Sequence, residues 1–309
     1  MLRSVFRLLF MLIAAPSSRP LPNPAAFVDT AAAMSFPTPA SRFAGSRMDK
    51  IALSLKMKRL TTWLDGRCEP ASLVRWQFDG PPFGQCYVTI DRDRQGRFAS
   101  VNMNRVHLCG TEAGLTSDGI ARLIELFAAE GIQRFFVWLS PGPEMDTVRG
   151  WLDAHGLSRI RRTGYPTLWR RGRSPVTFRT DLEVREVGVD EVAAARDQFG
   201  ETMWPGYLRS AGRPGFFHYI AYDGLRPVAI AALCLFEEIG YLLAAATAEN
   251  DRKRGAQQAL IAKRIARAEQ SGCSIQVAET LSVIEHSLRN LQRAGFEEAY
   301  DKEVYQWSA

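Results

Sequence analysis

The chain has 309 residues, room for two domains of ordinary size, and its 46% hydrophobic and 23% charged residues are the proportions of a globular protein. The formal net charge is +6, but the arginines are spread over the whole length with no basic tract interleaved with aromatics. No nucleic-acid partner is expected, and small anionic molecules account for the charge as well. Five cysteines (Cys68, Cys86, Cys109, Cys234 and Cys273) are scattered, odd in number and without a C-x-x-C pair. That argues against a disulfide framework and a zinc site, and suits buried thiols in a reducing, cytoplasmic compartment.

Residues 1–47 differ from the rest. MLRSVFRLLFMLIAAPSS resembles a weak signal peptide, too short and too charged to span a membrane. A Pro/Ala/Ser-rich stretch follows, which suits a flexible extension or an overlong start, with Met34 or Met48 as the true beginning. Further on, FGQCYVTIDRDRQGRFASVNMNRV (83–106) predicts a hairpin turning at DRQG. DGIARLIELFAAE (118–130) predicts a helix capped by Thr116 or Ser117 and stopped by Gly131. IQRFFVWL is an apolar strand. A helix then runs to Gly156, and SRIRRTGYPTLWRR reads as one or two antiparallel strands. Around 170–181 a polar segment with Pro175 reads as a linker, dividing 48–172 from 173–309.

The same order returns after the linker. LEVREVG, GFFHYIAYDG, RPVAIAALCLF and IGYLLAAAT predict four strands, with a helix over DEVAAARDQFGETM after the first. GAQQALIAKRIARAEQ predicts a helix with Ala256, Leu260, Ile261, Ile265 and Ala268 inward, stopped by Gly272. SIQVAET is a strand, VIEHSLRNLQRA a helix stopped by Gly295, and FEEAYDKEVYQW strand material. Helix, glycine, strand, helix, glycine, strands occurs twice, with 25 and 23 residues between the stop glycines. An internal duplication is the simplest account.

One loop carries the chemistry. Arg252, Lys253 and Arg254 stand against Gly255, where a helix begins. Like charges beside the positive end of a helix dipole cost free energy unless an anion sits among them. A solvated basic helix start is the alternative reading of these residues alone. The placement of Arg252-Lys253-Arg254-Gly255-Ala256-Gln257 after an apolar strand and before a helix resembles the Q/R-x-x-G-x-G/A motif of the GNAT superfamily of N-acetyltransferases, with Gln257 departing from its last position. The resemblance covers residues 181–307. The first half looks like a second, degenerate unit, in which GTEAGLTSDG (110–119) replaces the basic loop. The implied fold is α/β (α+β): two tandem units, each a mixed, mostly antiparallel sheet flanked by helices.

The resemblance implies acetyl-CoA as co-substrate, its pyrophosphate on Arg252, Lys253, Arg254, Gly255, Ala256 and Gln257. It places Ala245, Ala246 and Thr247 beside the pantetheine arm, and Asn290 within reach of the cofactor; simple strand packing and local capping are the competing readings. Glu279, ending its strand, is the candidate base, against an exposed strand-end carboxylate. Leu291 stands where many relatives carry a tyrosine that protonates the leaving thiolate. Ser287, Tyr300 or water would then serve, or the thiolate leaves unassisted. His286 is a lesser site candidate. The expected acceptor is a small-molecule or protein amine, walled by 203–219 with Trp204, Tyr207, Phe216 and Phe217, aromatics that serve equally as core. A non-catalytic acyl-CoA sensor, favoured by Leu291, and a nucleic-acid-binding scaffold are the alternatives. No metal site is expected.

Overall fold

Helix α1 (Arg47–Cys68) comes first among the described residues and was not anticipated. Its Leu53, Met57, Leu60 and Leu64 recur at helical spacing and are buried. The computed structural model describes residues 47–68, 73–91, 104–111, 113–160, 164–172, 175–199 and 204–309. The N-terminal extension and the DRQG turn lie outside them. Among the described residues, no helix is long and apolar enough to cross a membrane. Cys68, Cys86, Cys234 and Cys273 are buried.

The first half continues with β1 (Val74–Gln77), β2 (Tyr87–Ile90), β3 (Arg105–Cys109), α2 (Ser117–Ala129), β4 (Arg134–Leu139), α3 (Met145–Ala154), β5 (Ser158–Arg159) and β6 (Tyr165–Arg170). The second half holds β7 (Glu183–Val187), α4 (Val189–Ala194), α5 (Arg196–Phe199), α6 (Pro205–Ser210), β8 (Phe216–Asp223), β9 (Arg226–Phe236), β10 (Ile239–Thr247), α7 (Ala256–Gln270), β11 (Ile275–Glu279), α8 (Glu285–Arg293) and β12 (Glu297–Ser308). The helix expected over 190–203 is divided into α4 and α5, and its residues 200–203 lie outside the described residues. All four stop glycines, Gly131, Gly156, Gly272 and Gly295, have positive φ, the left-handed turn that ends a helix.

One mixed sheet runs through both halves in the order β1-β2-β3-β4-β12-β6-β11-β10-β9-β8-β7, with β5 on β12. Two pairs are parallel, β3 with β4 and β10 with β11; the others are antiparallel. The two strands read from SRIRRTGYPTLWRR do not pair with each other. β6 leaves its own half and lies between β11 and the first part of β12. The last part of β12, Glu303–Ser308, returns the exchange and lies between β4 and β5. Each half thus lends its final strand to the other.

Alternation along β9 fills both faces. Ile230, Ala232 and Cys234 meet α1, while Ala229, Ala231 and Leu233 meet α7. Helix α1 therefore covers the second half of the sheet, where Trp63 stacks on Phe216 at 5.4 Å between ring centres. Leu291 lies under α7 with Leu260, Ile261 and Phe296. A separate core around Phe127, Phe135 and Leu152 serves the first half.

Candidate functional site

Strands β10 and β11 run parallel from Ile239↔Ile275 to Leu242↔Ala278, and there the pairing stops. Strand β10 goes on to Thr247 with only β9 beside it. A bulge between Leu243 and Ala245 marks the parting, and Ala244 takes φ +41°. Ala245 is exposed although its strand is interior to the sheet, and Ala246 and Thr247 are half-buried. The small side chains of LLAAAT leave this edge of backbone open to a ligand.

The slot leads to the start of α7. Gly255 is its N-cap and offers no side-chain cap, and the first turn of α7 carries no acid. The first intrahelical bond is Ala259 N–H to Gly255 O, so the N–H groups of the first turn have no partner within the helix. Arg252 and Lys253 are exposed just ahead of it. The His286 imidazole is held below its ordinary value by burial and by the Arg252 and Arg289 charges, which brings the start of α8 to the same mouth. Arg254 has other partners: it meets Asp223 at 2.7 Å, Asp181 at 2.5 Å and Asp251 at 3.4 Å. Gly255 has φ +81°, and a Cβ there would lie 2.8 Å from the Arg179 carbonyl oxygen. The loop's own packing thus demands glycine, whatever lies in front of it.

Gln257, Ser287 and Asn290 come together. Asn290 donates to Gln257 Oε1 at 2.7 Å and Gln257 donates to Ser287 at 3.4 Å, tying α7 to α8. Gln258 adds a bond to Asn290 at 3.3 Å. Ala256 is buried in the core behind the loop.

At the parting of the strands stands Glu279, its side chain only 7% exposed. It accepts from Thr167 at 2.8 Å and Tyr241 at 3.1 Å, and pairs with Lys302 at 2.6 Å. Register puts Trp138, Lys302, Tyr165, Thr167, Glu279 and Tyr241 on one face of the sheet. The Lys302 ammonium lies 4.8 Å from the Tyr165 ring and 5.1 Å from that of Trp138. Burial pulls its pKa down, against the pull of Glu279 upward. Tyr300 is buried on the same face, its pKa pushed up by burial and by Glu279. Of the aromatics in 203–219, Tyr207 and Phe216 are core and Phe217 is half-buried against the α7 side.

No protein-family model matches the chain, and no curated protein matches its sequence. Solved structures do match its fold. A GCN5-related N-acetyltransferase from Kribbella flavida superposes with a TM-score of 0.61 over 82% of this chain and 95% of its own, at 16% identity. A tandem GNAT protein from the clavulanic acid biosynthesis pathway gives 0.56 over 86% and 97%, at 10% identity. A GCN5-related N-acetyltransferase from Sphaerobacter thermophilus gives 0.53 over 74% and 79%, at 12% identity. This chain has the tandem GNAT fold.

The two GNAT-like halves differ at the place that matters. In the first half, the ends of β3 and β4 close on each other, since a Cβ on Gly142 would fall 1.3 Å from the Gly110 carbonyl oxygen. The N-terminus of α2 is capped by Thr116, whose side chain accepts from Gly119 N–H, and Thr116 N–H is bonded to Pro82 O at 2.9 Å. The second half alone, among the described residues, combines parted parallel strands with an uncapped helix start. Sequence reasoning passed over Lys302 and Arg264. The signal for Arg264 was legible, since it falls four residues after Leu260 in the apolar stripe of α7. Lys302 gave none, because its partner is 23 residues away on another strand.

Proposed function

We propose that the second half is an acetyl-CoA-dependent N-acetyltransferase and the first half a degenerate unit that completes its sheet. The observation that carries this is the junction of the parted strands β10 and β11 with the uncapped N-terminus of α7. A pyrophosphate set there would take the free N–H groups of Ala256, Gln257 and Gln258 with the positive end of the dipole. Arg252 and Lys253 would add charge from the solvent side. Arg254 acts differently in this reading: held by three aspartates, it fixes the loop rather than the ligand. Asn290, Gln257 and Ser287 shape the neighbouring wall.

Acetyl-CoA supplies an activated acyl group, and this chain's residues bring an amine to it. An open strand edge at Ala245, Ala246 and Thr247 can bond the amide-bearing arm. Glu279 holds the acceptor end. A carboxylate has about four lone-pair sites, and Thr167, Tyr241 and Lys302 take three of them. The remaining site would bond the incoming amine and receive its proton. Leu291 brings no hydroxyl to the leaving sulfur; Ser287 on α8 is the remaining candidate, since Tyr300 is buried in the core. A thiol's ordinary pKa of about 8.5 lets the thiolate leave unassisted. The acceptor class is an amine, of a small molecule or a protein.

The test uses the full chain. Acetyl-CoA at 100 times its dissociation constant should stabilise it by about 2.7 kcal/mol, read as a rise of a few degrees in Tm. Replacing both Arg252 and Lys253 by Glu should weaken binding at least tenfold with the ligand-free Tm unchanged, because both side chains are exposed. Gly255 is unsuitable for this purpose, since any side chain there strikes Arg179 O. Glu279→Gln should slow thiol release from acetyl-CoA with amines while leaving cofactor affinity within twofold. No Tm shift at millimolar acetyl-CoA would end this reading.

A further inference from the structure

Arg264 is 3% exposed on the sheet-facing side of α7, in a stripe otherwise made of Ala256, Leu260, Ile261, Ile265 and Ala268. Its bonds run to backbone carbonyls. Nε donates to Leu260 O at 3.0 Å, and one terminal nitrogen donates both to Ala232 O at 3.2 Å and to Leu243 O at 3.3 Å. Among the described residues no carboxylate pairs with it; the titratable groups acting on it are the phenols of Tyr207 and Tyr219, which burial keeps protonated and neutral. Burial pulls its pKa down to about 10, which leaves it a cation at neutral pH. A buried charge without a counter-charge is costly. A well-packed leucine or methionine at this place would avoid that cost.

The position of the two bridged carbonyls suggests what the cost serves. Ala232 and Leu243 are register partners, the last pair of β9 and β10 before the ladder slips; the next pair is Ala231↔Ala245. Between them Ala244 is the extra residue, at φ +41°. A bulge leaves backbone groups without ladder partners, and a buried carbonyl without one is unfavourable. The guanidinium binds one carbonyl of each strand at the last pair before the slip. It does so where β10 has just lost β11, directly before the open edge at Ala245.

We infer that Arg264 is a positioning residue of the acyl slot: it holds β10 in its bulged course, so that the strand stays parted from β11, and sets a fixed positive charge behind the backbone that faces the thioester. This rests on the acetyl-CoA reading for its ligand, but not for its geometry. Arg264 lies eight residues into α7, about 12 Å from the helix start at 1.5 Å per residue. Its influence should therefore fall on the acyl end of the ligand and spare the phosphates.

Two full-chain variants, Arg264→Met and Arg264→Lys, test this by calorimetric titration with acetyl-CoA and with CoA. In Arg264→Met, acetyl-CoA affinity should fall at least tenfold while CoA affinity changes less than twofold. Arg264→Lys, which keeps a charge and donors, should recover part of the difference and serves alone if the methionine variant does not fold. Equal losses for both ligands, or none, would overturn the role in the slot. Amide exchange in the free protein reads the geometry independently. Segments 230–234 and 243–247 should exchange at least tenfold faster in the variants while β8 keeps its wild-type rate; unchanged exchange overturns the claim about the bulge. Wild-type protein that binds neither ligand would remove the acetyl-CoA reading, and the exchange rates would still decide whether Arg264 holds the bulge.

Discussion

Glu279 shows how one residue type carries two meanings at a strand end. Alone it is a carboxylate where a cleft opens; in the fold it is half of a buried ion pair with Lys302, braced by Thr167 and Tyr241. Breaking such a pair costs more than removing it whole, since the survivor is left charged in a dry place. Lys302→Met alone should therefore cost about 3–5 kcal/mol. The double variant with Glu279→Leu should cost far less than the sum of the two single changes, as measured by urea unfolding. Additive losses would mean that the pair is not coupled. His218 offers a second residue-scale test. Its Nε2 lies 3.0 Å from both Tyr207 O and Ser210 Oγ, and burial pulls its pKa from 6.5 to about 4. The fold holds it neutral, while the unfolded chain takes up a proton below pH 6.5. Its contribution is full above pH 6.5 and is lost as pH falls toward 4, by about 3 kcal/mol in all. His107, also held low by burial, adds in the same direction. His218→Gln should flatten the decline in the urea midpoint between pH 7 and pH 5, relative to wild type. The sequence pointed to Glu279 by its place at a strand end, but Thr167, Tyr241 and Lys302 stand on three other strands, and no local pattern announces them.

Among the elements, those with their own period were legible. The stripes of α2 and α7, the runs of β4, β9 and β10, and the four stop glycines all read directly, because 3.6- and 2-residue spacings are written locally. Helix α1 was passed over although Leu53, Met57, Leu60 and Leu64 carry that same spacing. Its polar side is crowded with Lys56, Lys58 and Arg59, and it follows a stretch that reads as flexible. Lys56 and Arg59 pair with Glu238 and Glu237 in the turn between β9 and β10, while Lys58 meets Gln85 of the first half. Burying four large apolar side chains at roughly 1.5–3 kcal/mol each makes α1 a structural part of the second half, while Ser54, Lys58 and Asp65 also bond it to the first. Leu60→Ala should accordingly destabilise the protein by about 2–5 kcal/mol and lower the Tm by several degrees. If acetyl-CoA binds the second half, its stabilising increment should survive that change, because α1 covers the face away from α7. A loss below 1 kcal/mol would mean that α1 does not pack as described.

The whole molecule is where a linear reading misleads most. A boundary between 172 and 173 divides the sequence into two repeats, yet the sheet ignores it. β6 belongs to the first repeat and sits between β11 and β12; the end of β12 belongs to the second and sits between β4 and β5. Ion pairs fasten each exchanged strand to its host. Arg170 of β6 meets Glu269 of α7 at 2.6 Å, and Glu303 of β12 meets Arg149 of α3 at 2.7 Å. Duplication is written in the order of elements, but strand exchange is not, since exchanged and unexchanged copies would present the same local periods. The consequence can be measured. Residues 173–309 made alone lack both α1 and β6, which leaves β11 with an unpaired edge at the floor of the slot and Glu279 without Thr167. An open apolar edge recruits another chain. This fragment should therefore be unfolded or aggregated by circular dichroism and size exclusion, as should 1–172 alone, while the two made together should copurify as a one-to-one complex. A cooperative, monomeric 173–309 would mean that the second half closes its own sheet, and that the exchange of strands is not what holds the two repeats in one body.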